Sequence, residues 1–176
     1  LYAAFTEFLG FVPESEEWKV MGASSYGNPE KFINRMRKLY ELREDGKIEL
    51  NLNYFNHFNF ETGGFFSNKI YELFGEQRLV NEPLSTVHFD IAAALQQVIE
   101  EILIHALDIL YEKTKLKHLC LGGGTFMNCV FNGKVLSKTR FERFYVPFAP
   151  DDSGNSIGAA LYLYHKILKN KIEINR

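Results

Sequence analysis

Several things are scarce in this sequence, and each scarcity removes a class of protein. Only two of the 176 residues are cysteine. Cys120 lies in an apolar run and Cys129 follows a glycine turn, with no CxxC and no cysteine–histidine cluster. That excludes a disulfide framework and a zinc module, and predicts two small buried hydrophobes in a reducing compartment, the cytoplasm. No apolar run approaches the roughly 18 residues of a membrane span, and no signal-peptide pattern opens the chain. Excess charge of one sign is missing as well: 20 Lys and Arg face 22 Asp and Glu, for a net charge of −2 and a pI near 6.2. Without a global basic field the balance weighs against nucleic acid as a partner, and RMRKLYELR (35–43) reads as a solvated helical face. There are no internal repeats and no low-complexity tracts.

What is present suits an ordinary globular protein with a well-filled core: 46% hydrophobic residues, among them 16 Phe and nine Tyr. Residues 1–11 carry Leu1, Phe5, Phe8 and Leu9 at helical spacing, with Gly10 at the expected helix end. The segment 12–29 is expected to be a loop. Asn28-Pro29 reads as a cap and first helical residue, for a helix reaching Leu42. KIELNLNYF (47–55) alternates like a strand, with Ile48, Leu50, Leu52 and Tyr54 on one face, and NHFNFETGGFF after it is either a strand or an aromatic loop. Ser67 is placed to cap a short helix. The longest element is expected from Asp90 to Lys115, with Ile91, Leu95, Val98, Ile102, Ala106 and Leu110 as its buried stripe.

The last sixty residues read strand (LKHLCLGG), helix (TFMNCVFNGKVLSKT), strand (RFERFYVPF), loop (APDDSG), helix (NSIGAALYLYHKIL). That order predicts an α/β fold with parallel pairing, because parallel neighbours need a crossover. Ligands of open α/β sheets settle outside the carboxyl ends of the strands. One such end carries Gly122-Gly123-Gly124 and Asn128, and the other carries Pro150-Asp151-Asp152-Ser153-Gly154. Bare main chain after a strand admits a flat or anionic guest, a nucleotide, or it serves only a tight turn needing positive φ. No Lys-Ser/Thr pair makes this a P-loop, and GxGxxG is not matched. Asp152 has a similar pair of readings, helix cap or ligand for a cation or ribose hydroxyl. Lys19 could reach a phosphate or be solvated. The histidines (57, 88, 105, 118, 165) show no HxxxH or HxH spacing and read as structural or surface groups. No serine or cysteine stands in a nucleophile elbow.

Taken together, LYAAFTEFLGF, EWKVMGASSYG, ELFGEQRLV, HFDIAAALQ, LCLGGGTFMNCVFNGKV and VPFAPDDSGNSIGAAL follow one another as in the O-carbamoyltransferases, which include nodulation-factor and antibiotic-tailoring enzymes. The sequence resembles that family from Leu1 to about Leu161. The resemblance implies the second lobe of an actin- and sugar-kinase-like (ribonuclease H-like) ATPase fold, a mixed sheet flanked by helices, similar to the tRNA threonylcarbamoyl-adenosine transferase. It implies transfer of a carbamoyl group from carbamoyl-adenylate, made from carbamoyl phosphate and ATP, to a hydroxyl acceptor. Gly123, Gly124 and Asn128 match the family's GGxxxN adenosine-side loop, and Asp152 matches an aspartate that helps hold a divalent or iron-like metal. Glu7 falls near a ribose-facing helix, and Lys19 with Tyr26-Gly27 falls in a motif of unassigned role; both are carried as nucleotide-side candidates. The family's HxxxH pair is absent, so residues 1–176 are expected to be the C-terminal lobe of the carbamoyltransferase domain. On that reading the chain, which starts with Leu1 in a helical pattern, lacks an upstream lobe and a downstream adenylate-forming-like domain, and by itself binds metal weakly and does not turn over. A phosphotransferase of the same superfold and a non-catalytic nucleotide-binding lobe remain as alternatives, and a homodimer stays open.

Overall fold

In the computed structural model, which describes residues 1–59 and 63–171, the chain divides into two units, Leu1–Lys115 and Leu116–Arg176. The first unit opens with helix α1 (Tyr2–Phe8), whose Phe5 and Phe8 are fully buried. The chain leaves it through Gly10 at φ +72°, a backbone state that favours glycine. Arg78 seals this end, donating from Nε to the Leu9 carbonyl at 2.5 Å and from Nη2 to the Gly10 carbonyl at 3.1 Å. Its guanidinium lies 4.7 Å from the Phe11 ring centroid. A buried cation is tolerable here because it meets helix-end carbonyls and an aromatic face.

Helix α2 (Glu17–Ser24) lies inside the segment expected to be a loop. The helix expected from Pro29 to Leu42 is broken: a 3-10 turn (Pro29–Lys31), α3 (Ile33–Met36), a second 3-10 turn (Arg37–Leu39), then strand β1 (Tyr40–Leu42). β1 pairs antiparallel with β2 (Ile48–Leu50), Tyr40 opposite Leu50, so sheet pairing overrides helical spacing after Leu39. Asn28 does cap, its side chain accepting from Glu30 N–H at 3.1 Å. The strand expected over 47–55 is confined to β2; Ile48 and Leu52 are exposed, so the proposed common face is not a core face. Phe55 and Phe66 form an isolated antiparallel bridge, and the intervening residues 60–62 lie outside the described residues. Helix α4 (Ile70–Phe74) follows Ser67, whose carbonyl accepts from Ile70 N–H. The basic stretch 35–43 is solvated and paired, with Arg37 on Glu101 and Arg43 on Glu41 and Glu49.

Helix α5 (Thr86–Thr114) starts four residues before the expected Asp90, because Ser85 and His88 form a reciprocal cap. Ile91, Leu95, Val98 and Ile102 are buried as the stripe requires, whereas Ala106 is only half-buried and Leu110 is exposed. Helices α1, α2 and α3 pack on α5. The motif holding Tyr26-Gly27 belongs to this contact. A Cβ added at Gly27 would stand 1.9 Å from the Phe89 carbonyl oxygen, so only glycine lets the two backbones meet.

Next to that contact Asp90, with a side chain only 3% exposed, accepts from Asn28 N–H at 2.7 Å and from the Lys31 ammonium at 2.8 Å. Burial pushes the Asp90 carboxyl up, but the Asn28 N–H and Lys31 outweigh it and hold the group below the ordinary carboxylate range. A depressed folded value adds stability that is complete above the unfolded value, about pH 4, and is lost as pH falls through the folded one. Urea unfolding should therefore show an acid loss that Asp90→Asn reduces. At pH 7 the same substitution should cost about 2 kcal/mol, the scale of hydrogen bonds to a charged group.

In the second unit β3 (His118–Cys120) and β4 (Arg143–Tyr145) pair in parallel, His118 opposite Arg143 and Cys120 opposite Tyr145. The crossover is not one helix: a 3-10 turn (Gly124–Met127) leads to α6 (Cys129–Asn132) and then α7 (Val135–Lys138). Asn128 accepts from Phe131 N–H at 3.0 Å and so begins a new helix inside the expected one. Leu119, Leu121, Phe131, Val135 and Phe141 are buried. Both cysteines are exposed, contrary to expectation: Cys120 alternates onto the side of β3 opposite buried Leu119, and Cys129 opens α6. A final 3-10 turn (Asp152–Gly154) enters α8 (Asn155–Tyr162), which continues as a π turn (Leu163–Ile167). Among the described residues the fold is therefore mixed α/β, with two small sheets flanked by helices.

Candidate functional site

Parallel strands finish at the same end, and here both finish in unusual loops. The β3–β4 ladder extends one bond past the strands, Leu121 N–H to the Tyr145 carbonyl at 2.9 Å. Beyond it Gly123 N–H donates to the Pro150 carbonyl at 2.6 Å. The glycine triplet and the aspartate loop thus lie side by side, and a Cβ built on Gly124 would be 3.9 Å from that of Asp151. Gly122, Gly123, Gly124 and Asp152 are all exposed.

The three glycines have different reasons to be there. Gly123 stands at φ +113°, ψ 152°, a conformation open to almost no other residue, so the turn requires it. Gly122 and Gly124 lie outside the positive-φ region. A Cβ on Gly122 would meet nothing within 4 Å, and one on Gly124 makes only ordinary contact. Neither is demanded by the turn or by packing among the described residues. Each still carries the ordering cost of glycine, about 0.5–1 kcal/mol relative to alanine.

The aspartate loop sorts in the same way. Ser153 Oγ donates to Asp151 Oδ1 at 2.5 Å, and Gly154 N–H donates to the Asp151 carbonyl at 3.0 Å. Gly154 cannot change, since a Cβ would lie 2.3 Å from the Ala149 carbonyl oxygen. No side chain caps the 3-10 turn or α8, so the capping role expected for Asp152 is not observed. Asp151 holds the turn, and Asp152 presents its carboxylate to solvent.

Asn128 uses its Oδ1 to cap α6. Asn132, one helical turn on, escaped the sequence reading. Its Nδ2 donates to the Phe126 carbonyl at 2.7 Å, while its Oδ1 is buried and accepts from no described group. An acceptor so placed costs about 1–3 kcal/mol. The Asn-x-x-x-Asn spacing is the signal that would have marked it.

Glu7 and Lys19 belong to the other unit, and both have structural partners. Glu7 Oε2 accepts from Phe65 N–H at 2.7 Å. Lys19 pairs with Glu16 and lies 5.6 Å from the ring centroids of both Phe11 and Trp18. His105 makes a structural contact, its Nε2 donating to the Arg43 carbonyl at 2.8 Å. Among the described residues no group of three His, Cys, Asp or Glu could hold a metal ion, so Asp152 by itself does not make a metal centre. No helix of the described residues is long and apolar enough to cross a membrane.

The glycine analysis gives a direct test. Gly122→Ala should leave thermal stability unchanged or raise it by up to about 1 kcal/mol, through the unfolded chain. Gly123→Ala should cost about 1–3 kcal/mol, because alanine cannot adopt that backbone state without strain. Paired melting curves would check both.

Comparison with known proteins bears on the same region. The family model described as Carbamoyltransferase N-terminus matches residues 1–161. An uncharacterized protein of Synechocystis sp. is 39% identical over 97% of this chain and 28% of its own length. Nodulation protein NolO of Bradyrhizobium diazoefficiens is 32% identical over 83% of the chain and 24% of its own length. Nodulation protein NolNO of Sinorhizobium fredii is also 32% identical, over 95% of the chain and 23% of its length. The chain therefore spans about a quarter of the relatives it matches.

Proposed function

Since this chain belongs to the carbamoyltransferase family, matching the N-terminal domain of its members, we propose that it forms the adenylate-holding part of a carbamoyl-transfer enzyme. The reading takes the second unit as a portion of the second lobe of an actin- and sugar-kinase-like fold. The observation that carries it is the pair of glycines, 122 and 124, that neither turn geometry nor internal packing requires, beside a carboxylate with no part in the turn. Bare main chain at a strand end lets the flat or anionic parts of ATP or carbamoyl-adenylate approach closely.

On this reading the acceptor hydroxyl attacks the carbamoyl carbon, a new C–O bond forms, and the bond to the adenylate phosphate breaks. The hydroxyl proton passes to a general base, and AMP leaves. The glycine loop contributes position: holding the adenylate still turns acceptor attack into a nearly unimolecular event. Asp152 is placed to meet a ribose hydroxyl or to add one oxygen to a cation whose other ligands lie elsewhere. Among the described residues no further metal-binding side chains gather around it. Asn128 works indirectly, by fixing the start of α6 behind the loop. Glu7 and Lys19 are left out of the site, since Phe65 and Glu16 already engage them. Carbamoyl phosphate, ATP and a hydroxyl acceptor are the substrates the family implies.

Two substitutions test the placement. Gly124→Leu should abolish ATP binding by this chain in a calorimetric titration without lowering its melting temperature by more than a few degrees. Unchanged titration would remove the loop from the site. In a family-length protein containing this sequence, Asp152→Ala should lower carbamoyl transfer at least 100-fold, the scale of a lost electrostatic partner at a reacting centre. Transfer at near-parental rate would exclude Asp152.

A further inference from the structure

We infer that Asn132 is a positioning residue for the glycine loop, acting through the Phe126 carbonyl. Its binding arm rests on the nucleotide reading above; its structural arm does not. Three hydrogen bonds run in series across the loop. Asn132 Nδ2 donates to the Phe126 carbonyl at 2.7 Å, Phe126 N–H donates to the Gly123 carbonyl at 3.0 Å, and Gly123 N–H donates to the Pro150 carbonyl at 2.6 Å. A side chain on α6 is thereby linked, through two residues of the loop, to the chain leaving β4. The Asn132–Phe126 bond spans six residues and ties the Phe126 carbonyl to α6.

The other end of the same amide explains why the residue is more than filling. Oδ1 is buried without a donor among the described residues, so an apolar side chain of the same volume would sit there at lower cost. Asparagine is useful at this position for its N–H alone. What that N–H holds is a segment with three consecutive glycines, the most deformable backbone in the unit. A loop with that freedom presents a defined surface to a ligand only if something outside it fixes its carbonyls. Asn128 has a different task for its Oδ1, which accepts from the Phe131 N–H at the start of α6.

The experiment compares Asn132→Leu and Asn132→Asp with the parent chain, by amide hydrogen exchange and by titration with ATP. In Asn132→Leu the Phe126 and Asn128 amides should exchange about tenfold faster, while amides in the middle of α5 keep the parental rate. ATP affinity should fall by a similar factor. In Asn132→Asp an ionised carboxylate cannot donate, so loop protection is lost at neutral pH. It should return as pH falls and the acid regains a proton it can donate to the Phe126 carbonyl, a profile that a purely space-filling residue would not show. Parental loop protection in Asn132→Leu, or a pH-independent Asn132→Asp, would overturn the inference. So would faster loop exchange with unchanged ATP affinity. If the parent chain fails to bind ATP, the nucleotide reading falls and the exchange data alone decide the role of Asn132. Should Asn132→Leu not fold, the pH profile of Asn132→Asp decides it.

Discussion

The parallel pairing of β3 and β4 is the constraint from which the candidate site follows. Each strand is only three residues long, yet their direction determines that both chains emerge on the same side. An antiparallel pair of the same residues would send the glycine loop and the aspartate loop to opposite ends. The Gly123 N–H to Pro150 carbonyl bond carries the alignment past the sheet and into the loops themselves. Glycine is needed there for its backbone, because φ of +113° is unavailable to other side chains at reasonable cost. Sheet direction and one glycine thus place the neighbouring residues where a ligand could use them.

The first unit shows how the same vocabulary of residues serves packing. Gly27 looks, in sequence, like a loop glycine beside a possible phosphate lysine. In the fold it brings the chain onto the Phe89 carbonyl, and the next residue, Asn28, donates its N–H to Asp90. Two sequence motifs that stand far apart, EWKVMGASSYG and HFDIAAALQ, are the two sides of one contact. Arg78 does the corresponding work at the end of α1, with carbonyls as its partners. Both charged groups are buried: Arg78 is met by backbone carbonyls, and Asp90 by a backbone N–H together with the exposed Lys31 ammonium.

What could be read in the sequence depended on the range of the forces involved. The long apolar stripe of α5, the Asn28 cap and the β-α-β order of the last sixty residues are local patterns, and they appear in the fold. The interruption of the expected helix after Leu39 is not local, since it comes from β1 meeting β2. Helix α2 gave little signal because only Val20 and Ala23 are buried on it while Trp18 is exposed. Burial of Cys120 is the expectation from its apolar run, whereas β3 alternates about Leu119 and leaves Cys120 exposed. At the candidate site the residue types and the meeting of the loops were legible. Asn132 was not, because its meaning lies in a carbonyl six positions back and in an acceptor left alone.

The candidate site in the second unit is marked by a division of labour, visible residue by residue. In each loop one residue meets the demands of folding and its neighbour does not. Gly123 makes the turn, and Gly122 and Gly124 are bare without structural cause. Asp151 bonds Ser153 and accepts from Gly154, and Asp152 caps nothing. Glu7 and Lys19 differ from these groups in that each has a structural partner, the Phe65 N–H and Glu16. A group without a folding role is weak evidence by itself, since exposed residues are often replaceable. Three such groups, on two loops joined by a 2.6 Å hydrogen bond, are a different matter. Glycine costs ordering entropy wherever it stands, and the surface of this unit offers no compensating gain at 122 or 124. Under the proposed reading, that compensation comes from a ligand approaching the backbone more closely than a methyl group allows.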